Sequence, residues 1–131
     1  MSGYGDPELL IAEWLHERLD LTVWADPRLP SDWPFDAALG HLQRAPGEGE
    51  IALSLDAALL DLDWFAKRAD HARAAAQRAR TALLRDLPGY TWPSGLTVSG
   101  VTNPTPPFWA PDPEFKRSAT YRVVLHGVTA D

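Results

Sequence analysis

The sequence predicts a two-layer α+β domain with two α-helices packed on one face of a mostly antiparallel sheet, in the order α-β-β-β-α-β-β. Residues 7–19 and 67–87 carry apolar side chains at steps of three and four, the period of a helix with one buried face. Residues 53–65 and 118–127 instead alternate apolar and polar, the period of a half-buried strand. Clusters of proline and glycine separate these segments and supply the turns.

Asp6-Pro7-Glu8 starts the first helix, with a capping carboxylate, proline at the first helical position and an acid in the first turn. Leu10 or Ile11, Trp14 or Leu15, and Leu19 then face inward, while Glu13, Glu17 and Arg18 face outward. Leu21 to Trp24 reads as a short strand ended by Asp26-Pro27, and Pro27, Pro30 and Pro34 make residues 26–36 a loop. A second strand is expected over Ala37 to Arg44, followed by an acidic turn, Pro46-Gly47-Glu48-Gly49-Glu50.

The third strand, Leu53 to Phe65, places Ala58, Leu60, Leu62 and Trp64 on one face and Leu59, Asp61, Asp63 and Phe65 on the other. It leads without a turn residue into the second helix, 67–87, whose stripe of Ala69, Ala72, Ala76, Ala79 and Leu83 suits close docking on the Leu60/Leu62 face. The helix also carries Lys67, Arg68, Arg73, Arg78, Arg80 and Arg85, six of the chain's twelve lysines and arginines. Pro88-Gly89 ends it. Leu96 to Val101 is a fourth strand. The stretch NPTPPFWAPDP, residues 103–113, has five prolines, which bar it from a central strand and make about 103–115 a proline-rich loop. In the last strand, Ala119, Tyr121, Val123 and Leu125 alternate with Thr120, Arg122, Val124 and His126.

A length of 131 residues suits one domain spanning 1–131. The net charge of −6 weighs against a general nucleic-acid binder, and the lack of cysteine removes disulfides and thiolate metal sites. With no signal-like start and no apolar run of membrane length, a soluble, intracellular chain is expected and no membrane partner.

Residues with chemical potential form no constellation. His16, His41, His71 and His126 sit on separate elements without metal-ligand spacing. Asp61 and Asp63 share a strand face and could hold Mg²⁺ or act as acid and base, or be a solvated surface paired across strands with Arg122. Pro111-Asp112-Pro113-Glu114-Phe115-Lys116 has the letters of a PD…(D/E)xK nuclease motif, but that site needs two adjacent strands rather than one contiguous segment. Thr97-Val98-Ser99-Gly100-Val101 is no nucleophile elbow, and the acidic 46–50 turn would repel phosphate. Pro104-Thr105-Pro106-Pro107 fits a PxxP ligand or a stiff loop. No catalytic residue, cofactor or metal is therefore expected. The helix-two arginines admit three readings: a solvated face, a subunit interface facing acids of another copy, or a phosphate-tracking surface.

The segments PELLIAEWLHERL, LLDLDWFAKRADHARAAAQRARTALL and RSATYRVVLHG, in this order over residues 7–127, resemble the tail terminator proteins of long-tailed bacteriophages, particularly those of actinobacterial phages. The alanine- and arginine-rich composition suits a high-GC host. The proline-rich 103–113 stretch and the acidic 46–50 turn depart from the family pattern.

The resemblance implies a non-enzymatic virion protein of the tail and neck. It would form a homo-oligomeric ring, a hexamer, on the last tail-tube ring, end tube polymerisation and join the head-closure protein. DNA would pass through the lumen without specific binding, which an acidic chain suits. The sheet edges and second helix would then make subunit contacts, and loops 26–36, 46–53 and 103–115 would meet tube and neck. The candidate contact residues are Trp24, Trp33, Phe35, Glu48, Glu50, Trp92, Phe108 and Trp109, with Arg73 and Arg80 on the helix.

Overall fold

Both helices form where the apolar period places them. In the computed structural model, which describes residues 7–25, 37–45, 50–52, 55–111 and 115–127, α1 covers Pro7–Leu19 and α2 covers Ala69–Thr81. α1 buries Ile11, Ala12, Trp14, Leu15 and Leu19. It ends at Asp20, whose φ of 56° is the left-handed conformation that closes many helices and that aspartate tolerates. α2 buries Ala72, Ala76 and Ala79 of the expected stripe and Ala75 besides, while Ala69 at its start is half-buried. It continues through a wider π-helical turn, Ala82–Asp86, closed by the Leu87 amide donating to the Ala82 carbonyl at 3.0 Å. Gly89, at φ 89°, then turns the chain out of the helix.

The strands are β1 (Val23–Trp24), β2 (Leu39–Ala45), β3 (Glu50–Ala52), β4 (Leu55–Ala66), β5 (Thr97–Ala110) and β6 (Phe115–His126). They form one sheet in the order β1-β2-β4-β6-β5, with β3 pairing β4 beside that path. β1 runs parallel to β2, and every other pairing is antiparallel. The architecture is thus α+β, two-layered and mostly antiparallel, with both helices on one face.

Two elements differ from expectation. β3 adds a strand at the end of the acidic turn, where Glu50 lies opposite Asp56 and continues the pairing along β4 beyond β2. More consequentially, residues 103–110 are not a loop: they prolong β5 to the outer edge of the sheet. An edge strand tolerates prolines because its outer side needs no ladder hydrogen bonds. The pairing of β5 with β6 shifts register between Thr102 and Thr105 and again between Thr105 and Phe108, which accommodates the prolines. Asn103 repairs the first gap. Its side-chain amide donates to the Thr105 and Thr120 carbonyls, both at 2.8 Å, in place of backbone N–H groups.

The core lies between sheet and helices. Leu60 pairs with Tyr121, Leu62 with Ala119 and Ala58 with Val123 across β4 and β6, and all six are buried under the alanine face of α2. Small residues on α2 let it lie close to these larger ones, and each buried leucine or valine contributes about 1.5–3 kcal/mol. Gly40 on β2 faces Trp64 on β4, and a Cβ there would stand 2.8 Å from two atoms of the indole. Trp64 crosses its neighbouring strand only because that position has no side chain.

Candidate interaction surface

The arginines of α2 do not form one free face. Arg78 and Arg80 lie about 200° apart around the helix and so point to opposite flanks. Arg78 donates to the Leu19 carbonyl at 2.9 Å, which ties α2 to the end of α1. Arg80 donates from Nε to Asn103 Oδ1 at 2.8 Å on the other flank, which ties α2 to β5. Arg68 pairs with Asp70 at the start of the helix and holds that carboxyl below its ordinary value, chiefly through the hydrogen bond between them. Two of the arginines are thus spent on holding α2 between α1 and β5. Beside Arg80, burial pushes the Tyr121 hydroxyl up to about 12, against a smaller opposing pull from the Arg80 charge.

Arg73, seven residues before Arg80, shares its β5 flank. Its guanidinium lies 5.5 Å from the ring centre of Trp109, and Arg117 on β6 lies 4.8 Å from the same ring. Phe115 packs edge-on against Trp109 at 5.9 Å. The register explains the grouping: Trp109 is paired with Arg117, and Phe115 shares the Arg117 face two residues away. Phe108, Trp109 and Phe115 are 45%, 39% and 46% exposed, so three large apolar side chains meet water at one corner of the sheet. Neither Arg73 nor Arg117 has a carboxylate partner among the described residues. Such a corner is a candidate contact surface.

The face of the sheet away from the helices is polar across its middle. Asp61 accepts the Thr120 hydroxyl at 2.7 Å, and Asp63 lies 3.8 Å from Lys116. Lys116 is thus a cross-strand cation of this acidic pair, and in the register Arg122 stands opposite Leu59. His41, Asp63 and Ser118 occupy one row across β2, β4 and β6. A hydrolytic triad needs the histidine between the other two to carry the proton, and here the aspartate is central. Among the described residues no three of His, Asp or Glu gather as a metal site, and no helix is long and apolar enough to cross a membrane.

The predicted contact residues scatter. Trp33, Phe35, Glu48 and the loop 26–36 lie outside the described residues. Glu50 opens β3, and Trp24 is half-buried on β1 at the far edge from Trp109. Trp92 is buried in the helix-side core, edge-on to Tyr90 at 4.9 Å, so it serves as the lid that loop tryptophans can equally be. Among the described residues only Trp109 and Arg73 come together; Phe108 points to the opposite face of β5, and Arg80, on the Arg73 flank, is bonded to Asn103. Phe115 and Arg117 went unnoticed in the sequence. Their signal was parity, since both fall in step with Ala119 and Tyr121 on the helix-side face.

No protein-family model matches the chain, and no curated protein matches it in sequence.

Proposed function

We propose that this chain is a structural subunit of a bacteriophage tail: a terminator that assembles as a ring on the last ring of the tail tube, ends tube growth and offers the head-closure protein a joining surface. The exposed Trp109–Phe115 corner between Arg73 and Arg117 carries the assembly part of this reading. Aromatic and arginine side chains held by one another lose little freedom on binding, which is the chemistry of contact anchors. The phage part rests on the resemblance of the three sequence segments and their order. In this role the protein works in the virion by fit, with no bond made or broken, and DNA passes it without specific binding.

Electron microscopy of particles from a phage lacking the protein tests the role. Overlong tails support a terminator. Tails of normal length left unattached to heads reassign the chain to a tail-completion or head-closure role, and unaltered virions remove it from assembly altogether. Replacing Phe108 and Trp109 by alanine should leave the isolated fold intact and impair joining. An unchanged yield of infectious particles from that variant counts against the proposal.

A further inference from the structure

Two separate surfaces of the molecule carry opposite charge that is uncompensated among the described residues. α1 packs over β1 and β2, and α2 over β4 and β6. The outward side of α1 carries Leu9, 51% exposed, followed by Glu13 and Glu17 at four-residue steps, with Asp20 just beyond. Successive members of that row rise about 6 Å along the axis, so an apolar side chain and two carboxylates form one stripe. Glu13, Glu17 and Asp20 have no cationic partner among the described residues. The other surface carries Arg73 and Arg117 around Trp109 and Phe115.

That surface is also a shelf. Five strands about 4.8 Å apart are wider than two helices of about 10 Å, so one strand's width of sheet is left without a helix above it. The observed coverage agrees. On the helix-side face Ala119, Tyr121 and Val123 of β6 are buried, whereas Val101 and Asn103 of β5 are half-exposed and Trp109 is exposed.

Resting on the ring reading above, we propose that this shelf is the seat for the outward face of α1 of a second copy. Leu9 meets the Trp109–Phe115 pair, and Glu13 and Glu17 meet Arg73 and Arg117. Because the two surfaces are different patches at opposite ends of one chain, the contact is head-to-tail. That is the kind of interface that closes into a ring. It strengthens at low salt, since its polar part is an exposed set of opposite charges.

Two charge-reversed chains test it. One carries Glu13→Lys with Glu17→Lys, the other Arg73→Glu with Arg117→Glu, and each is checked for fold by circular dichroism and thermal midpoint. The chain has no cysteine, so a third variant, Glu17→Cys with Arg117→Cys, traps weak contacts as disulfide-linked multimers. By sedimentation, the unaltered protein should associate in a salt-dependent way, and each reversed chain alone should do so at least about tenfold more weakly. Mixed, the two reversed chains should recover the salt-dependent association of the parent, with the two kinds alternating, because both contacts between unlike chains again join opposite charges.

Reversed chains that assemble like the parent overturn this seat and leave the ring reading standing. A mixture that stays monomeric overturns the head-to-tail pairing. If the Arg73→Glu, Arg117→Glu chain self-associates normally but no longer binds tube protein, the shelf belongs to the tube and the proposal falls. If the parent forms no multimer with or without tube protein, and the cysteine pair traps none, the ring reading fails and this one with it. Should a reversed chain not fold, the neutral Arg73→Gln, Arg117→Gln pair replaces it in the same measurement.

Discussion

Gly40→Ala is the sharpest probe of the core on which the interaction surfaces are mounted. The new methyl would stand 2.8 Å from two atoms of the Trp64 ring, where carbon atoms normally rest about 3.5–4.0 Å apart. Relief needs a shift of about 1 Å, and Trp64 is 1% exposed among residues that are themselves fully buried. Overpacking of that kind costs about 1–3 kcal/mol. The lost freedom of the unfolded chain when glycine becomes alanine returns about 0.4–1 kcal/mol. The net expectation is a destabilisation of about 1–2 kcal/mol, a fall in thermal midpoint of about 4–8 °C for a chain of this size. Gly100→Ala is the matched control, because nothing lies within 4 Å of its added methyl. Urea unfolding of both variants measures the difference. Equal midpoints, or a more stable Gly40→Ala, would refute the reasoning that Trp64 fixes this position as glycine.

The Tyr121 hydroxyl is raised to about 12 when folded and titrates near 10 when unfolded, so the folded chain holds this proton more tightly. Its contribution is intact below about pH 10 and falls by up to about 2–3 kcal/mol as pH rises toward 12. The stability difference between the parent and Tyr121→Phe should therefore shrink over that range, and parallel curves would sink the claim. Asp70 is held low by Arg68, so its stabilising effect is present above about pH 3.8 and lost as pH falls through the depressed folded value. Arg68→Ala should raise the Asp70 titration seen by NMR, and an unchanged titration would exclude Arg68 as the cause. Asn103→Ala strands the Arg80 donor and the Thr105 and Thr120 carbonyls, a loss of about 1–3 kcal/mol. Faster amide exchange confined to the outer half of β5 is the expected signature, and uniform exchange would contradict it. Asp61→Asn with Asp63→Asn should leave particle yield unchanged, since both carboxylates are engaged across strands by Thr120 and Lys116; a collapse in yield would assign them a role beyond the sheet.

Periodicity made both helices and the β4–β6 centre of the sheet legible, because a buried face imposes its period on every residue along it. Ala72, Ala76, Ala79 and Leu83 were placed by that rule alone. The outer half of β5 was not legible. Proline density normally signals a loop, and what keeps this segment in the sheet is a side-chain amide, Asn103, bonding across to β6, which no local pattern announces. Gly40 was opaque for a similar reason, since its constraint comes from a tryptophan 24 positions away on another strand. The candidate contact surface was read in part. Loop-like tryptophans drew attention to Trp92 and Trp109 alike, and only the pairing of β5 with β6 separates the buried one from the exposed one. Helix two's arginines admit three readings in the sequence, and their angular positions send Arg78 and Arg80 to different neighbours and leave Arg73 beside Trp109.

The prolines of β5 bear on how copies of this chain would meet. An open edge strand ordinarily invites another strand to add to it, which leads to sheet extension and aggregation. Here Pro104, Pro106 and Pro107 provide no N–H, the pairing shifts register twice between Thr102 and Phe108, and the Asn103 amide is turned inward to its own sheet. Backbone pairing along that stretch would leave an incoming strand's carbonyls without donors. The same corner nevertheless presents Trp109, Phe115 and two arginines without carboxylate partners among the described residues. Association through side chains has a fixed area and a fixed orientation, whereas strand addition can repeat without limit. Under the proposed function, closing a ring and halting growth would need the first kind of contact and suppression of the second, and a proline-blunted edge beside an aromatic–arginine shelf would meet both requirements in one element.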